Sequence, residues 1–354
     1  MTKPALTTAS SFADLSGADR HAIREFLDQV DTASPFQDPL FSGGGALGGG
    51  LAEHWFALKD NEHVLLAGYA IENFALGRRL PRWRCLVFPR GPVVSDATAL
   101  GLGLRTIEDW ARTRGFVHMD VQPQWTDSAI TEMSAAAHGL GWSKAEQAPA
   151  SMTLRIDLTK GLDGLLAGFD KGTRYEVRRA QKVGIDVRFA ASATDYERYY
   201  ECYLQTCRRK GFTGIERDNF LSLMFRIARD PSRGGLLLAE MDHDLLGGIV
   251  VLRAGPCLHY VYGASTDRPD LRKLPIGYLL QWRAIEWASE IGLAAYDFGG
   301  YTATPQNSTA RFKKGFGGVP VDIAPTYRRI LRPWLHGTAV GLKKLKKFRR
   351  PTGH

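Results

Sequence analysis

An ungapped internal repeat constrains the fold of this 354-residue chain more than any other feature of its sequence. The segment IEDWARTRGFVHMD (107–120) aligns with AIEWASEIGLAAYD (284–297) at a constant separation of 177 residues. Identical residues at matching positions are Trp110 and Trp287, Ala111 and Ala288, Gly115 and Gly292, and Asp120 and Asp297. Each copy has helical periodicity and then a short apolar run that is typical of a buried strand. The repeat therefore predicts two tandem domains of the same α/β fold.

The remaining elements agree with two such domains. Strand patterns at 54–58, 64–72 and 83–88 precede the first repeat, and a strand meander at 235–262 precedes the second. The sequence thus predicts an α/β (α+β) protein in which each domain has a mixed, mostly antiparallel sheet flanked by helices. We expect the domains at 1–150 and 151–333. Residues 1–10 are expected to form a flexible tail, and 334–354 a basic amphipathic tail.

Composition limits the classes of partner and of site. The 46 basic and 37 acidic residues give a formal charge of +9, which favours polyanionic partners or an anionic membrane surface. The four cysteines form no CxxC pair and the histidines show no ligand spacing, so no metal site is predicted. There is no leader pattern and no apolar run of about 18 residues, so we expect a cytoplasmic protein. The C-terminal WLHGTAVGLKKLKKFRR either lies on anionic lipid at the inner face of the membrane or is a plain charged tail.

Two basic segments could bind or stabilise negative charge. In TRYEVRRAQKVG (173–184), Arg174 and Arg178 share one helical face and suit a phosphate group, although a solvated basic face explains the same spacing. In RFKKGFGG (311–318), Phe312 could stack on a substrate while Lys313 or Lys314 meets developing negative charge. A β-hairpin with exposed lysines is the alternative.

Three further residues are candidates because of where their strands place them. Asp297 ends a strand just before Gly299 and Gly300, where sites of such sheets gather, but it could equally be structural. Tyr260 and Tyr262 alternate along a strand and should share one face, either in the core or against a substrate.

Two glycine-containing segments leave alternatives open. The tract 43–50 is either a mobile loop or a place of close backbone approach to a ligand. The segment LRKLPIG (271–277) is similar to the pyrophosphate-binding turn of acetyl-CoA-dependent acetyltransferases. It has only one of the usual glycines, and Pro275 offers no N–H. The sequence therefore does not favour coenzyme A (CoA) binding.

The order of motifs in the second half resembles the Fem family of aminoacyl-tRNA-dependent, peptidoglycan bridge-forming aminoacyltransferases. The motifs that carry the resemblance are TRYEVRRAQKVGIDV, YVYGASTD, LPIGYLLQWRAIEWASEIGLAAYDFGG and RFKKGFGG. The resemblance implies two tandem acetyltransferase-like (GNAT-like) domains. It also implies transfer of an amino acid from aminoacyl-tRNA to an amine on a nucleotide- or lipid-linked peptidoglycan precursor, with no metal and no bound cofactor.

The resemblance also assigns roles to single residues. Phe312 and Lys313 match the family's Phe-Lys pair at the reaction centre, where the lysine would stabilise the oxyanion. Arg174 would hold a phosphate of the precursor and Tyr262 would line the peptide channel. Asp297 or the substrate itself would accept the amine proton. After Phe36 and Gln37, this chain has Phe41 and glycines where family members have Trp and Lys. The rival interpretation is a CoA-dependent N-acyltransferase acting on an amino sugar or small amine in envelope polysaccharide synthesis.

Overall fold

A computed structural model describes residues 4–42, 51–77, 80–126, 128–145, 152–271, 273–302 and 308–348. The described chain forms two compact units, one within Met1–Pro149 and Ile323–His354 and the other within Ala150–Asp322. No helix in these ranges has both the length and the apolar character needed to cross a bilayer. The tract 43–50, one position of the LRKLPIG segment (272) and the predicted boundary near 150 lie outside the described residues.

The elements follow each other along the chain with short connections. The strands are β1 Ala5–Ala9, β2 Glu53–Asp60, β3 His63–Phe74, β4 Arg84–Phe88, β5 Val93–Val94, β6 His118–Val121, β7 Ser143–Lys144, β8 Met152–Asp157, β9 Asp186–Phe189, β10 Gly234–Met241, β11 Asp244–Ala254, β12 Cys257–Ser265, β13 Ala295–Gly300, β14 Val319–Asp322 and β15 Tyr327–Ile330. The α-helices are α1 Gly17–Gln29, α2 Ala97–Thr113, α3 Ser128–Gly139, α4 Gly161–Gly168, α5 Lys171–Lys182, α6 Ala193–Lys210, α7 Arg217–Ile227, α8 Ile276–Glu290, α9 Ser308–Lys314 and α10 Pro333–Phe348.

The first unit is built on a sheet of strand order β1-β2-β3-β4-β6-β15-β7, with β5 paired to β3. Only β4 and β6 run parallel among the strand pairs described in this unit. Its core contains large aromatic side chains, including the buried Trp125, Trp142 and Tyr327. The predicted mixed, mostly antiparallel sheet is confirmed here.

The second unit has the strand order β14-β8-β13-β12-β11-β10-β9. Its strands are antiparallel except β12 and β13, which are paired in parallel and joined by α8. Helix α8 buries Leu279, Leu280 and Ile285 in the core, as its periodicity predicted. This unit is therefore a second mixed α/β layer structure.

The sequence repeat corresponds to the same local geometry in both units. Gly115 and Gly292 follow α2 and α8 with φ of +81° and +75°, a region that glycine adopts without strain. The next residue, Phe116 or Leu293, donates a backbone hydrogen bond to Ala111 or Ala288, closing the helix in the same way. The parallel strand pairs also begin at equivalent positions of the repeat. His118 of β6 pairs with Cys85 of β4, and the aligned residue Ala295 of β13 pairs with Cys257 of β12.

Some terminal segments differ from the prediction. Residues 5–9, expected to be flexible, form β1 and pair with β2 because Leu6 can pack on the first core. The predicted C-terminal domain, 151–333, extends too far, because β15 pairs with β6 and β7 of the first unit. The expected tail is also part of this unit, since α10 buries Leu335 and Ala339 while Trp334 is 70% exposed. Contact of this segment with anionic lipid stays a prediction.

The position of β15 makes a prediction about stability. Tyr327 is 2% exposed and its hydroxyl donates to Ser134 Oγ at 2.5 Å, whereas Ile330 of the same strand is 38% exposed. We expect Tyr327→Ala to lower the free energy of unfolding by about 3 kcal/mol or more, because it leaves a cavity in the first core. Ile330→Ala should cost less than about 1 kcal/mol. Urea denaturation followed by circular dichroism measures both, and equal effects would contradict this placement of β15.

Candidate functional site

A cleft of about 550 Å³ opens in the second unit beside β12 and the first turn of α8. Strands β12 and β13 pair only as far as His259 and Asp297, and the chain beyond them contributes to the cleft and its floor. Helices α6 and α9 complete the walls. The lining residues are Thr206, Arg209, Lys210, Gly248, Ile249, Tyr260, Gly263, Ala264, Ser265, Ile276, Gly277, Leu280, Gln281, Ser308, Thr309, Phe312 and Lys313.

Lys313 lies at the inner end of this cleft and is 7% exposed. Its ammonium group donates to the carbonyl of Gly300 at 2.8 Å and, more weakly, to that of Gly299 at 3.5 Å. The Tyr260 ring centroid is 5.9 Å from Lys313 Nζ. An ammonium group has three N–H donors, so one remains for an acceptor in the cleft. The site can therefore offer a hydrogen-bonded positive charge to an oxygen that becomes negative.

The pKa of Lys313 is lowered to about 8. Burial is the main cause, because desolvation disfavours the charged form, and the positive charge of Lys210 adds to the effect. The carboxylate of Asp297 acts in the opposite direction. Lys313 is therefore still mostly protonated at neutral pH and loses its charge as the pH rises through about 8.

Phe312 forms the wall beside Lys313. Its ring lies 4.9 Å from Tyr278 and 5.3 Å from Phe316, measured between centroids, and it packs on Gly277 at the beginning of α8. The alternative of a β-hairpin for RFKKGFGG is wrong, because Ser308–Lys314 is helical. The helix directs Phe312 and Lys313 to the cleft, whereas Lys314 is exposed and does not line it.

Asp297 is 1% exposed and lies behind the cleft rather than in it. Its carboxylate accepts from Arg155 Nε at 2.9 Å, from the Gly299 backbone N–H at 2.7 Å and from the Thr153 hydroxyl. Burial alone would raise the pKa of Asp297, but the neighbouring His259, the charge of Arg155 and the side-chain hydrogen bonds from Thr153 and Arg155 lower it overall. The bond to Gly299 also fixes that residue at φ +68°, which orients the carbonyl groups that hold Lys313. Asp297 thus supports Lys313 from outside the cleft.

Cys257, His259 and Asp297 bring three potential metal-ligating atoms within 4.8 Å of one another, which the sequence spacing did not reveal. Burial raises the pKa of the Cys257 thiol and lowers that of His259 to about 4, so both side chains are neutral at pH 7. The Arg155 guanidinium already occupies the carboxylate and would repel a cation. We therefore assign this cluster to the support of Asp297 rather than to a metal.

The other predicted residues lie outside the cleft. Arg174 donates to the carbonyls of Ala167 and Phe169 and so closes the end of α4. Arg178 of α5 is exposed. Tyr262 packs against Tyr203 of α6, with ring centroids 6.2 Å apart. Of the seven candidates, the cleft is lined by Tyr260, Phe312 and Lys313.

The predicted common face of Tyr260 and Tyr262 is wrong because β12 is irregular at this point. The register shifts between the pairs Val250–Tyr262 and Val251–Tyr260, so Val261 is an extra residue on β12. Such a bulge interrupts the two-residue alternation of side chains. Tyr262, which the resemblance assigns to the peptide channel, therefore packs on α6 and does not line the cleft with Lys313.

Sequence reasoning missed the contribution of α6. This helix begins with a capping box of Ser192 and Asp195 and ends at Gly211, so its last turn presents Arg209 and Lys210 to the cleft. The basic run 208–210 was a visible signal. Its connection with Lys313 depends on long-range packing that the sequence pattern does not contain.

The network behind Lys313 makes a testable prediction. Replacing Asp297 by Asn removes the negative charge that raises the pKa of Lys313, so this pKa should fall further below about 8. Lys313 should then react faster with an amine-reactive ester at pH 7, as measured by mass spectrometry of the labelled peptide. Asp157→Asn, on exposed Asp157 of the adjacent strand β8, is the control. An unchanged labelling profile in the Asp297 variant, with circular dichroism intact, would contradict the coupling.

Comparisons with known proteins agree with this fold and with its catalytic nature. Residues 167–314 match the family model described as an acetyltransferase (GNAT) domain. The chain is 25% identical over 257 residues to the UDP-N-acetylmuramoylpentapeptide-lysine N(6)-alanyltransferase of Weissella viridescens, covering 69% of this chain and 73% of that protein.

Solved structures show that the similarity extends over both units. The crystal structure of FemX superposes with a TM-score of 0.80 at 18% identity, covering 94% of this chain and 99% of that one. A tandem GNAT protein from the clavulanic acid biosynthesis pathway gives a TM-score of 0.54 at 12% identity, covering 93% and 99%. This chain is therefore an acyltransferase with two GNAT-like units, and its similarity to that alanyltransferase and to FemX confirms the predicted resemblance to the Fem family.

Proposed function

We propose that the protein transfers an amino acid from an aminoacyl ester, carried by tRNA, to an amine on a peptidoglycan precursor. The observation that carries the proposal is the buried ammonium group of Lys313 beside Phe312 at the inner end of the cleft. The alanyltransferase that the chain resembles is named for the same type of acceptor, a UDP-linked muramoyl pentapeptide. An ester donor is already activated, so the enzyme has to supply mainly positioning and charge stabilisation.

The proposed reaction forms an amide and breaks an ester. The neutral acceptor amine attacks the ester carbonyl carbon, and its oxygen becomes an oxyanion that the third N–H of Lys313 can approach. Collapse breaks the bond to the ribose oxygen, which leaves with the proton lost by the amine. Asp297 is buried and accepts three hydrogen bonds, so this proposal does not use it as the proton acceptor. The departing oxygen of the substrate takes that role.

The CoA-dependent alternative has one observation in its favour, which is the match of 167–314 to an acetyltransferase domain. The loop before α8 is less suited to a pyrophosphate. The backbone N–H groups of Leu271 and Leu274 are bonded within the loop, Pro275 has none, and the ring of Phe312 packs on Gly277. We therefore favour the aminoacyl ester as donor.

The proposed function is tested by supplying charged tRNA pools and a panel of acyl-CoAs separately, with a UDP-linked muramoyl pentapeptide and with an amino sugar as acceptors. Mass spectrometry should detect an aminoacylated pentapeptide only with charged tRNA. Acylation of the amino sugar from an acyl-CoA, without transfer from tRNA, would overturn the proposal in favour of the alternative.

Lys313 should be required for the chemical step. We expect Lys313→Met to lower kcat about 10²- to 10³-fold, which is the usual effect of removing one donor to an oxyanion. Lys160→Met is the matched control, because Lys160 is an exposed lysine of the same unit that does not line the cleft. A kcat of Lys313→Met within threefold of wild type would exclude the proposed role.

The pH dependence follows from the same group. The positive charge of Lys313 is fully present well below pH 8 and is lost as the pH rises through about 8, so wild-type kcat should fall above that pH. Lys313→Arg should retain part of the activity without this alkaline fall, because a guanidinium group stays protonated. Identical alkaline limbs in the two proteins would show that another group controls the decline.

A further inference from the structure

The described lining of the cleft contains three cationic residues, Arg209, Lys210 and Lys313, and no carboxylate. The one acidic side chain coupled to Lys313 is Asp297, which is already bonded to Arg155 behind the cleft. The cleft therefore has an excess of positive charge within the described structure.

The three cations differ in what balances them. Arg209 pairs with Asp267 and donates to Ser265 Oγ at 3.2 Å. Lys313 donates to the two glycine carbonyls. Lys210 is exposed, and no hydrogen bond or ion pair joins it to any residue in the described ranges. Its three N–H donors are thus available to a ligand in the cleft.

Lys210 is also close enough to Lys313 for its charge to lower the pKa of Lys313. Two like charges beside a partly dry cleft repel each other, and an anion bound near them would remove this cost. The hydroxyl groups of Ser308 and Thr309 line the same cleft and can donate to that anion.

We propose that Lys210 forms a phosphate subsite, which holds the phosphate nearest the acyl group of the donor while Lys313 faces the acyl carbonyl. This inference rests on the proposed function, since it assumes that the donor enters this cleft. In an aminoacyl-tRNA this phosphate is the 5′-phosphate of the terminal nucleotide, on the same ribose as the acyl ester, whereas in acyl-phosphopantetheine the phosphate is at the other end of the pantetheine arm from the thioester. Recognition of that phosphate would align the carbonyl with Lys313 without any contact to the base or the thioester arm.

A structural explanation of Lys210 is that a cation stabilises the C-terminal end of α6. Arg208 offers a control for this explanation, because it is in the same last turn, is exposed and does not line the cleft. A helix-end effect would appear in both variants, whereas a phosphate subsite depends on Lys210.

The test compares two non-hydrolysable probes, 3′-alanylamido-3′-deoxyadenosine with and without a 5′-phosphate, by isothermal titration calorimetry on the full chain. Wild type should bind the phosphorylated probe about tenfold more tightly, the size expected for one charge-assisted hydrogen bond. Lys210→Gln should remove this preference, Lys210→Arg should keep most of it, and Arg208→Gln should leave it unchanged. Equal binding of the two probes by wild type, or a full preference in Lys210→Gln, would overturn the subsite.

A second probe pair distinguishes the source of the phosphate, and a parallel assay separates the two proposals. A Lys210-dependent preference for 4′-phosphopantetheine over pantetheine would support the subsite and reassign the donor to the CoA class. If the wild-type protein transfers alanine from alanyl-tRNA to the muramoyl pentapeptide but shows no phosphate preference, the subsite is overturned and the proposed function stands. A preference without transfer in that assay would support the subsite while the proposed function fails.

Discussion

The candidate site in the second unit depends on one ion pair, between Asp297 and Arg155. This pair lies behind the cleft and positions the backbone that bonds Lys313. Asp297 is at the last register pair between β13 and β12, and its carboxylate also accepts from the Thr153 hydroxyl and the Gly299 amide. Gly299 and Gly300 then accept from Lys313, so a chain of hydrogen bonds runs from a buried strand to the floor of the cleft. Removing one partner of a buried pair typically costs about 3–5 kcal/mol, because the other charge is left without compensation. Stability and the orientation of Lys313 therefore depend on the same carboxylate.

The first unit contains the corresponding carboxylate without the corresponding lysine. Asp120 of β6 accepts two hydrogen bonds of 2.6 Å from Arg328 of the antiparallel strand β15. In the second unit, Arg155 is likewise on the antiparallel strand β8 beside Asp297. The paired Asp and Arg are thus a structural feature of both units. The second unit adds α9 after its strand and places Lys313 over the carbonyl groups there. In the second unit, the structural ion pair therefore also supports a candidate catalytic group.

The elements that the sequence predicted well are those whose signal is local. The repeat, the strand meander and α8 have strict periodicity and caps or glycines at their ends, and the structure places them within a few residues of the prediction. The Phe-Lys pair was found because its motif is contiguous, and the structure places both side chains in the cleft.

The remaining parts depend on contacts between distant residues. No local pattern shows that β15 crosses back to β6, that Val261 bulges from β12, or that α6 presents Lys210 to the cleft. Arg174 illustrates the opposite error. Its helical spacing with Arg178 suited a phosphate, yet its guanidinium closes the end of α4, because carbonyl groups at a helix end need donors. Spacing along a helix identifies neighbours but not the surface they face.

The central claim is that the ammonium group of Lys313 meets the negative oxygen of the transition state. The most direct test is a crystal structure of the protein with a phosphonate analogue of the tetrahedral intermediate that joins an alanyl group to adenosine. The account predicts a phosphonate oxygen about 2.7–3.1 Å from Lys313 Nζ, the distance of an oxyanion hydrogen bond, with Lys313 still bonded to Gly300. A phosphonate bound with no contact to Lys313 would contradict it.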